Sequence, residues 1–198
     1  METETEFEVL TWDKIYAMLL SQAENIRQSD FKPEVIIGVT RGEWVPDRVH
    51  SDLLEIPDLA VVQVEFYLSF AETRNEPVLT QGVSAIVQGK KVLLADDVDT
   101  GKSLHLAREH FRQHGATELR VVTVYRKPFS VITPDYCERE TRCWVVFPWE
   151  GTETLRKIVE KHRDKSAVNM VAAKLAKAGL PKQLVKKFLK EEFEAGNC

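Results

Sequence analysis

Two hydrophobic rhythms alternate along the chain. Short, nearly unbroken apolar runs stand at Glu34–Val39, Leu59–Tyr67, Val92–Ala95 and Leu119–Tyr125, and a weaker one at Val83–Val87. Runs of that length and continuity predict strands buried on both faces, as in a parallel sheet. Between them, apolar residues recur at helical spacing. Ile15, Met18, Leu19, Ala23 and Ile26 share one face of a helix from Trp12 to Gln28, with Thr11 placed to cap it and Pro33 beyond its end. A second helix starts near Trp44, with Pro46 in its first turn. Leu104, Ala107 and Phe111 mark a third, closed by Gly115. Thr152 is placed to cap a fourth that runs to about His162, and residues 166–198 carry two more helical patterns broken at Gly179-Leu180-Pro181. Strand alternating with helix predicts an α/β fold with a parallel sheet covered on both faces. Leu68–Gly82 fits neither rhythm, and its length is that of a functional loop or lid.

Chemistry gathers where the strands end. After Val92–Ala95 come Asp96 and Asp97, then Val98, Asp99, Thr100, Gly101, Lys102 and Ser103, where the third helix begins. Ligands of open α/β sheets bind at the carboxyl ends of strands. Backbone N–H groups at a helix start favour phosphate, and Gly101 lets the backbone come close. The paired aspartates suit hydroxyl donors and a divalent cation instead. The ligand so described has a phosphate, vicinal hydroxyls and a metal. Gly101-Lys102-Ser103 has the ending of a P-loop, but that motif needs a Gly where Asp96 stands, so an NTPase is excluded. The bland alternative is an acidic turn closing an ordinary βα unit. A second strand-to-helix turn, Thr40-Arg41-Gly42-Glu43, carries a cation and a glycine and also suits an anion. Cys143-Trp144-Val145-Val146-Phe147-Pro148-Trp149-Glu150 offers a flat indole for stacking, with Trp149 expected to pack in the core.

The run from Val92 to Ser103 resembles the ribose-phosphate loop of the type I phosphoribosyltransferases, and Asp99 before Thr100 leans toward their 6-oxopurine branch (hypoxanthine, guanine and xanthine enzymes). The resemblance covers roughly residues 10–160. It implies the fold of that family, with a small hood over the base built from the N-terminal and 126–150 segments. It implies transfer of the phosphoribosyl group of phosphoribosyl pyrophosphate to a purine, with Mg²⁺ and release of pyrophosphate. Carried over residue by residue, Asp96 and Asp97 hold the ribose hydroxyls and help place Mg²⁺. Val98, Asp99, Thr100, Gly101, Lys102 and Ser103 form the 5-phosphate loop, with Asp99 handling the purine N7 proton. Arg41 and Gly42 bind pyrophosphate. Lys127, in Arg126-Lys127-Pro128, donates to the purine O6. Trp144 stacks on the base, the backbone of Val145 and Val146 reads its edge, and Glu150 lies near the metal. Two positions depart from the pattern: one residue, Val98, separates the acid pair from Asp99 where two are usual, and Glu43 replaces a second glycine.

Composition narrows the field. The chain has 198 residues, net charge −4 and pI near 5.8, which fits a globular domain of residues 1–163 with a small helical appendage at 164–198. A mildly acidic balance disfavours nucleic acid, and the lysines of the last helix are offset by Glu191, Glu192 and Glu194. No apolar run is of membrane-spanning length, the first six residues do not read as a signal peptide, and the three cysteines have neither disulfide nor zinc spacing. A reduced cytoplasm is expected, and a homo-oligomer, first of all a dimer. His110 and His114 lie one turn apart with no third ligand in reach, which favours a solvated surface over a metal site. Two competitors stay open: a regulator that senses the same sugar phosphate on the same fold, and an enzyme for another acceptor such as orotate or uracil.

Overall fold

The computed structural model describes residues 6–40, 44–66, 77–81, 87–96, 100–162 and 164–194. Its elements in chain order are β1 (Phe7–Val9), α1 (Trp12–Gln28), β2 (Val35–Thr40), α2 (Trp44–Leu53), β3 (Leu59–Phe66), β4 (Pro77–Gln81), β5 (Lys91–Ala95), α3 (Lys102–Gln113), β6 (Glu118–Arg126), β7 (Tyr136–Glu140), β8 (Trp144–Val146), α4 (Gly151–His162), α5 (Lys165–Ala178) and α6 (Lys182–Glu194). They fall into two compact units: residues 17–141, and residues 1–16 together with 142–198. Helix α1 spans the boundary in sequence. No described helix is long and apolar enough to cross a membrane.

The larger unit is a six-stranded sheet in the order β4-β3-β2-β5-β6-β7. All neighbours are parallel except β3 and β4. The apolar runs are continuous because both faces of the sheet are covered. Val35, Ile37, Val39, Val92 and Leu94 point to one side, into a core with Leu104, Ala107 and Phe111 of α3. Ile36, Leu93, Ala95 and Val122 point to the other, with Ile26 and Phe31. From β2 the chain moves outward through α2 to β3; from β5 it moves the opposite way through α3 to β6. Adjacent β2 and β5 therefore form a topological switch point, where open α/β sheets leave a crevice at the strand ends.

The smaller unit joins β1 and β8 in a parallel pair, Phe7 opposite Trp144 and Val9 opposite Val146. Thr11 caps α1 as expected: its Oγ1 accepts from the Lys14 N–H at 3.2 Å. Val146, Leu155, Val168, Leu175, Val185 and Phe188 share one core, so the α5–α6 hairpin packs on α4 and the small sheet. Asp164 caps α5, accepting from the Ala167 N–H at 2.8 Å, and the hairpin turns at Gly179 with φ 124°.

Three expectations need correction. Thr152 lies inside α4, which begins at Gly151; the carbonyl of Glu150 takes the first helical bond, from the Thr154 N–H at 2.8 Å. The stretch 68–82 is not loop throughout, since Pro77–Gln81 pairs with β3. Strands β1 and β7 had no counterpart in the pattern, being short and half-buried. The strand expected at Val83–Val87 lies outside the described residues except for Val87.

Candidate functional site

In the larger unit the switch point sets the site's frame. Gly38 of β2 pairs with Ala95 of β5, so the two strands end side by side. Asp96 follows directly, half-exposed, its N–H reaching the Val122 carbonyl at 3.4 Å. Arg41, Gly42 and Glu43 after β2, and Asp97, Val98 and Asp99 after Asp96, lie outside the described residues.

The chain resumes at Thr100 with a tight turn. Gly101 is buried and has φ 78°, a left-handed conformation that costs other residues. A Cβ there would stand 2.5 Å from Ser130 Oγ and 3.2 Å from the Ile132 nitrogen. The turn is thus pressed against the segment that follows β6. The Thr100 carbonyl accepts from the Val131 N–H at 3.0 Å, and the Lys127 carbonyl accepts from the Ser130 N–H at 3.1 Å. Lys127, half-exposed, is held by the same segment that supports the glycine turn. Among the described residues the one side chain that reaches the start of α3 is Thr100, whose Oγ1 accepts from the Lys102 N–H at a long 3.4 Å. A helix start with a glycine bend before it is a ready anion site. Exposed Lys102 and half-buried Ser103 open that helix.

One neighbour of Asp96 had no role in the sequence reading. Asp47 is 1% exposed, and its carboxyl lies against Gly38, where any Cβ would overlap it. Among the described residues neither of its oxygens has a hydrogen-bond partner. Burial, reinforced by the charge of Asp96, pushes its pKa well above the usual carboxylate range. One turn on, His50 is equally buried, with both ring nitrogens unpartnered, and burial lowers its pKa to about 4. The only signal in the sequence is an Asp and a His three apart on one helix, which does not say that they face inward.

A magnesium ion, which the resemblance implies, calls for oxygen ligands and usually binds through one or two carboxylates plus substrate phosphates and water. The β5 end fits that donor chemistry: Asp96 stands there, and its charge is felt at Asp47. Among the described residues no group of three or more His, Cys, Asp or Glu stands ready to hold a metal.

The smaller unit holds the aromatic candidates. Trp144 is 46% exposed on β8, whereas Val145 and Val146 are buried. Trp149 packs as expected: its ring lies 5.0 Å from Phe147, stacked, and 5.6 Å from Trp12. Glu150 is half-buried at the foot of α4.

Comparison with known proteins agrees with this fold. The phosphoribosyl transferase domain model matches residues 8–153. A xanthine-guanine phosphoribosyltransferase of Cereibacter sphaeroides is 31% identical over 120 residues, 58% of this chain and 68% of that protein. Its namesake from Gluconobacter oxydans is 24% identical over 147 residues, 73% of this chain and 84% of that one. Among solved structures, a purine phosphoribosyltransferase of Pyrococcus horikoshii superposes with TM-score 0.66 and 36% identity, covering 73% of this chain and 93% of its own. The xanthine-guanine-hypoxanthine enzyme of Helicobacter pylori, at TM-score 0.67 and 17% identity over 77% and 99% of the two chains, shares the fold.

Proposed function

The chain belongs to the phosphoribosyl transferase domain family, and within it we propose that it joins the ribose phosphate of phosphoribosyl pyrophosphate to a 6-oxopurine (hypoxanthine, guanine or xanthine), releasing pyrophosphate, as a step of purine salvage. One observation carries the reading: a left-handed glycine turn at the start of α3, following the carboxylate that ends β5 at the switch point. The named relatives are purine enzymes, which supports the choice of acceptor.

The proposed roles follow. Asp96 and Asp97 accept hydrogen bonds from the ribose diol. Val98 and Asp99 lead into Thr100, Gly101, Lys102 and Ser103, whose amides grip the 5-phosphate. Arg41 and Gly42 bind the leaving pyrophosphate. Lys127 donates to the purine O6, Trp144 covers the ring, and Val145 and Val146 read its edge with backbone groups. Asp99 takes the proton that leaves the purine nitrogen. Asp96, Asp97 and Glu150 are the residues proposed to hold Mg²⁺, directly or through water; when bound, the ion would neutralise charge on the pyrophosphate. Most of the acceleration comes from positioning and charge complementarity at the departing group. We place the protein in the reduced cytoplasm as a homodimer.

The deciding experiment is a base-dependent pyrophosphate-release assay with hypoxanthine, guanine, xanthine and adenine, with and without Mg²⁺. Turnover with at least one 6-oxopurine, abolished by chelation, is expected. Binding of phosphoribosyl pyrophosphate with no turnover on any base would make the protein a sensor instead. An Asp99→Asn variant should lose turnover far more than donor binding; equal loss of both would remove the proton role.

A further inference from the structure

Of the large apolar side chains that stand exposed among the described residues, three fall on one helix at a spacing of four. Trp12, Tyr16 and Leu20 of α1 are 57%, 49% and 45% exposed. The face of α1 that the fold needs is a different one: Ile15, Met18, Leu19, Ala23 and Ile26 are buried. So α1 is apolar on two flanks where a surface helix needs one. Residues four apart form a ridge along a helix surface. The next row beside this ridge is Asp13, Ala17 and Ser21, all exposed, and two of the three are small. A tall ridge therefore runs alongside a shallow row. Trp12 is also held in place: its ring lies 5.6 Å from that of Trp149, which stacks on Phe147 at 5.0 Å. A side chain already ordered has little rotamer freedom left to lose on association.

We propose that this ridge is the surface on which two copies of the chain meet, α1 crossing α1 about a two-fold axis near Tyr16. The proposal rests on the homodimer put forward above and names its contact. A two-fold contact must be self-complementary. The ridge is so: Trp12 and Leu20 stand four residues to either side of Tyr16, so an antiparallel copy sets its Leu20 against Trp12 and its Tyr16 against Tyr16. Each ridge lies in the shallow row of the other helix, where Ala17 and Ser21 leave room. Interdigitated ridges of this spacing, crossing at about −50°, are the commonest helix packing. Charge agrees. Asp13, Lys14, Glu24 and Arg27 are the charges of α1 and they cancel, so a second copy is not repelled. An anionic lipid surface, which calls for a basic face, is not attracted. Two half-exposed aromatics and a leucine present roughly 300 Å² of apolar surface, the size of patch that marks a contact. Trp and Tyr are the usual anchors at the centre of one. That is less than the roughly 800 Å² a standard interface takes from each partner, even with a polar rim added. The dimer is then one that dissociates in the micromolar range, on the order of 1–10 μM.

Sedimentation equilibrium of the full chain tests this. The wild type is expected to be a dimer at about 100 μM and to dissociate on dilution. Tyr16→Glu and Tyr16→Lys should each weaken association on the order of a hundredfold, because position 16 meets its own copy and like charges then face each other. Mixed in equal amounts, the two variants should pair again. Asn25→Glu, exposed on α1 but off the ridge, should leave association unchanged. A dimer that survives both Tyr16 variants, or a mixture that fails to pair, would overturn the surface and leave the homodimer standing. A wild type that stays monomeric would overturn both, and binding of that monomer to phosphatidylcholine or phosphatidylglycerol vesicles would assign the ridge to lipid. The transfer reaction keeps its own readout in pyrophosphate release, so its failure is not confused with either. Should a charge variant not fold, Tyr16→Cys decides the matter. In a chain carrying Cys137→Ser, Cys143→Ser and Cys198→Ser, a short bismaleimide should couple Tyr16→Cys to its copy and spare Asn25→Cys. No coupling, or equal coupling of the two, would refute the crossing.

Discussion

Gly38 and Asp47 occupy one space between them. The carboxyl of Asp47 fills the volume a side chain on Gly38 would need, and among the described residues neither oxygen gains a hydrogen bond in return. Gly38→Ala should therefore destabilise the fold, whereas the double variant Gly38→Ala/Asp47→Ala should recover most of the loss. A coupling of about 1–3 kcal/mol in denaturant unfolding is the expected size; strict additivity would mean that the contact is absent. The same residue and its neighbour shape the pH dependence, with opposite signs. The folded pKa of Asp47 lies well above its ordinary 3.8, so its contribution is full below 3.8 and is lost as pH rises toward the folded value. The folded pKa of His50 is about 4 against an ordinary 6.5, so its contribution is full above 6.5 and is lost as pH falls through 4. The histidine effect is on the order of 3 kcal/mol. In metal-free buffer, Asp47→Asn should gain more stability at pH 7.5 than at pH 4.5 (about 1–3 kcal/mol at most), and His50→Leu should gain more at pH 4.5. Parallel stability curves for wild type and both variants would refute this assignment.

At the scale of elements, the bend into α3 offers a controlled comparison. Gly101 and Gly89 have nearly the same φ, 78° and 79°, but a Cβ on Gly89 meets nothing within 4 Å while one on Gly101 meets Ser130 and Ile132. Alanine at either position pays the left-handed strain, about 1 kcal/mol. Only Gly101→Ala also pushes the turn off the segment that carries Lys127. It should weaken phosphoribosyl pyrophosphate binding by roughly tenfold or more by calorimetry, a change of ~1.4 kcal/mol, with Gly89→Ala unchanged. Equal effects would mean that the turn's support does not matter to the ligand. This bend was readable from sequence because strand, acid pair and glycine stand in an unbroken line. Strands β2 and β5 were readable because two-faced burial removes polar residues from the run, and β6 through Val121, Val122 and Val124 although Arg120 and Thr123 interrupt it. Strand β7 was not: at the sheet edge, Tyr136–Glu140 keeps its charged residues, and period-two apolar patterning is gone. Strand β1 was hidden by its length of three residues; its partner β8 is equally short. Asp47 and His50 were unreadable for a different reason. On α2 the valines Val45 and Val49 are half-exposed while Asp47 and His50 face inward, the reverse of what apolar spacing implies.

For the whole molecule, the open question is what the C-terminal hairpin holds together. The match to the family domain ends at residue 153, yet Val168, Leu175, Val185 and Phe188 are buried in the same core as Val146 of β8 and Leu155 of α4. Gly151 at the start of α4 sits where a Cβ would come within 3.0 Å of Leu180 and Leu184, so the hairpin is closely fitted to the foot of that helix. Burial of each such side chain is worth about 1.5–3 kcal/mol, against a total stability of about 5–15 kcal/mol for a domain. The small β1–β8 pair, three residues per strand, cannot supply that by itself. The hairpin is then a structural part of the unit that carries Trp144. Phe188→Ala should cost about 3–5 kcal/mol and lower the unfolding midpoint. A chain ending at residue 162 should lose the near-ultraviolet dichroism of Trp144 and Trp149 together with purine-dependent turnover. Because the turn at Thr100–Ser103, Asp96 and Lys127, which we propose hold the donor, all belong to the larger unit, that truncated chain should still bind phosphoribosyl pyrophosphate. Loss of donor binding with the hairpin would mean that the larger unit does not fold without it; full turnover without the hairpin would show that the small sheet stands unaided.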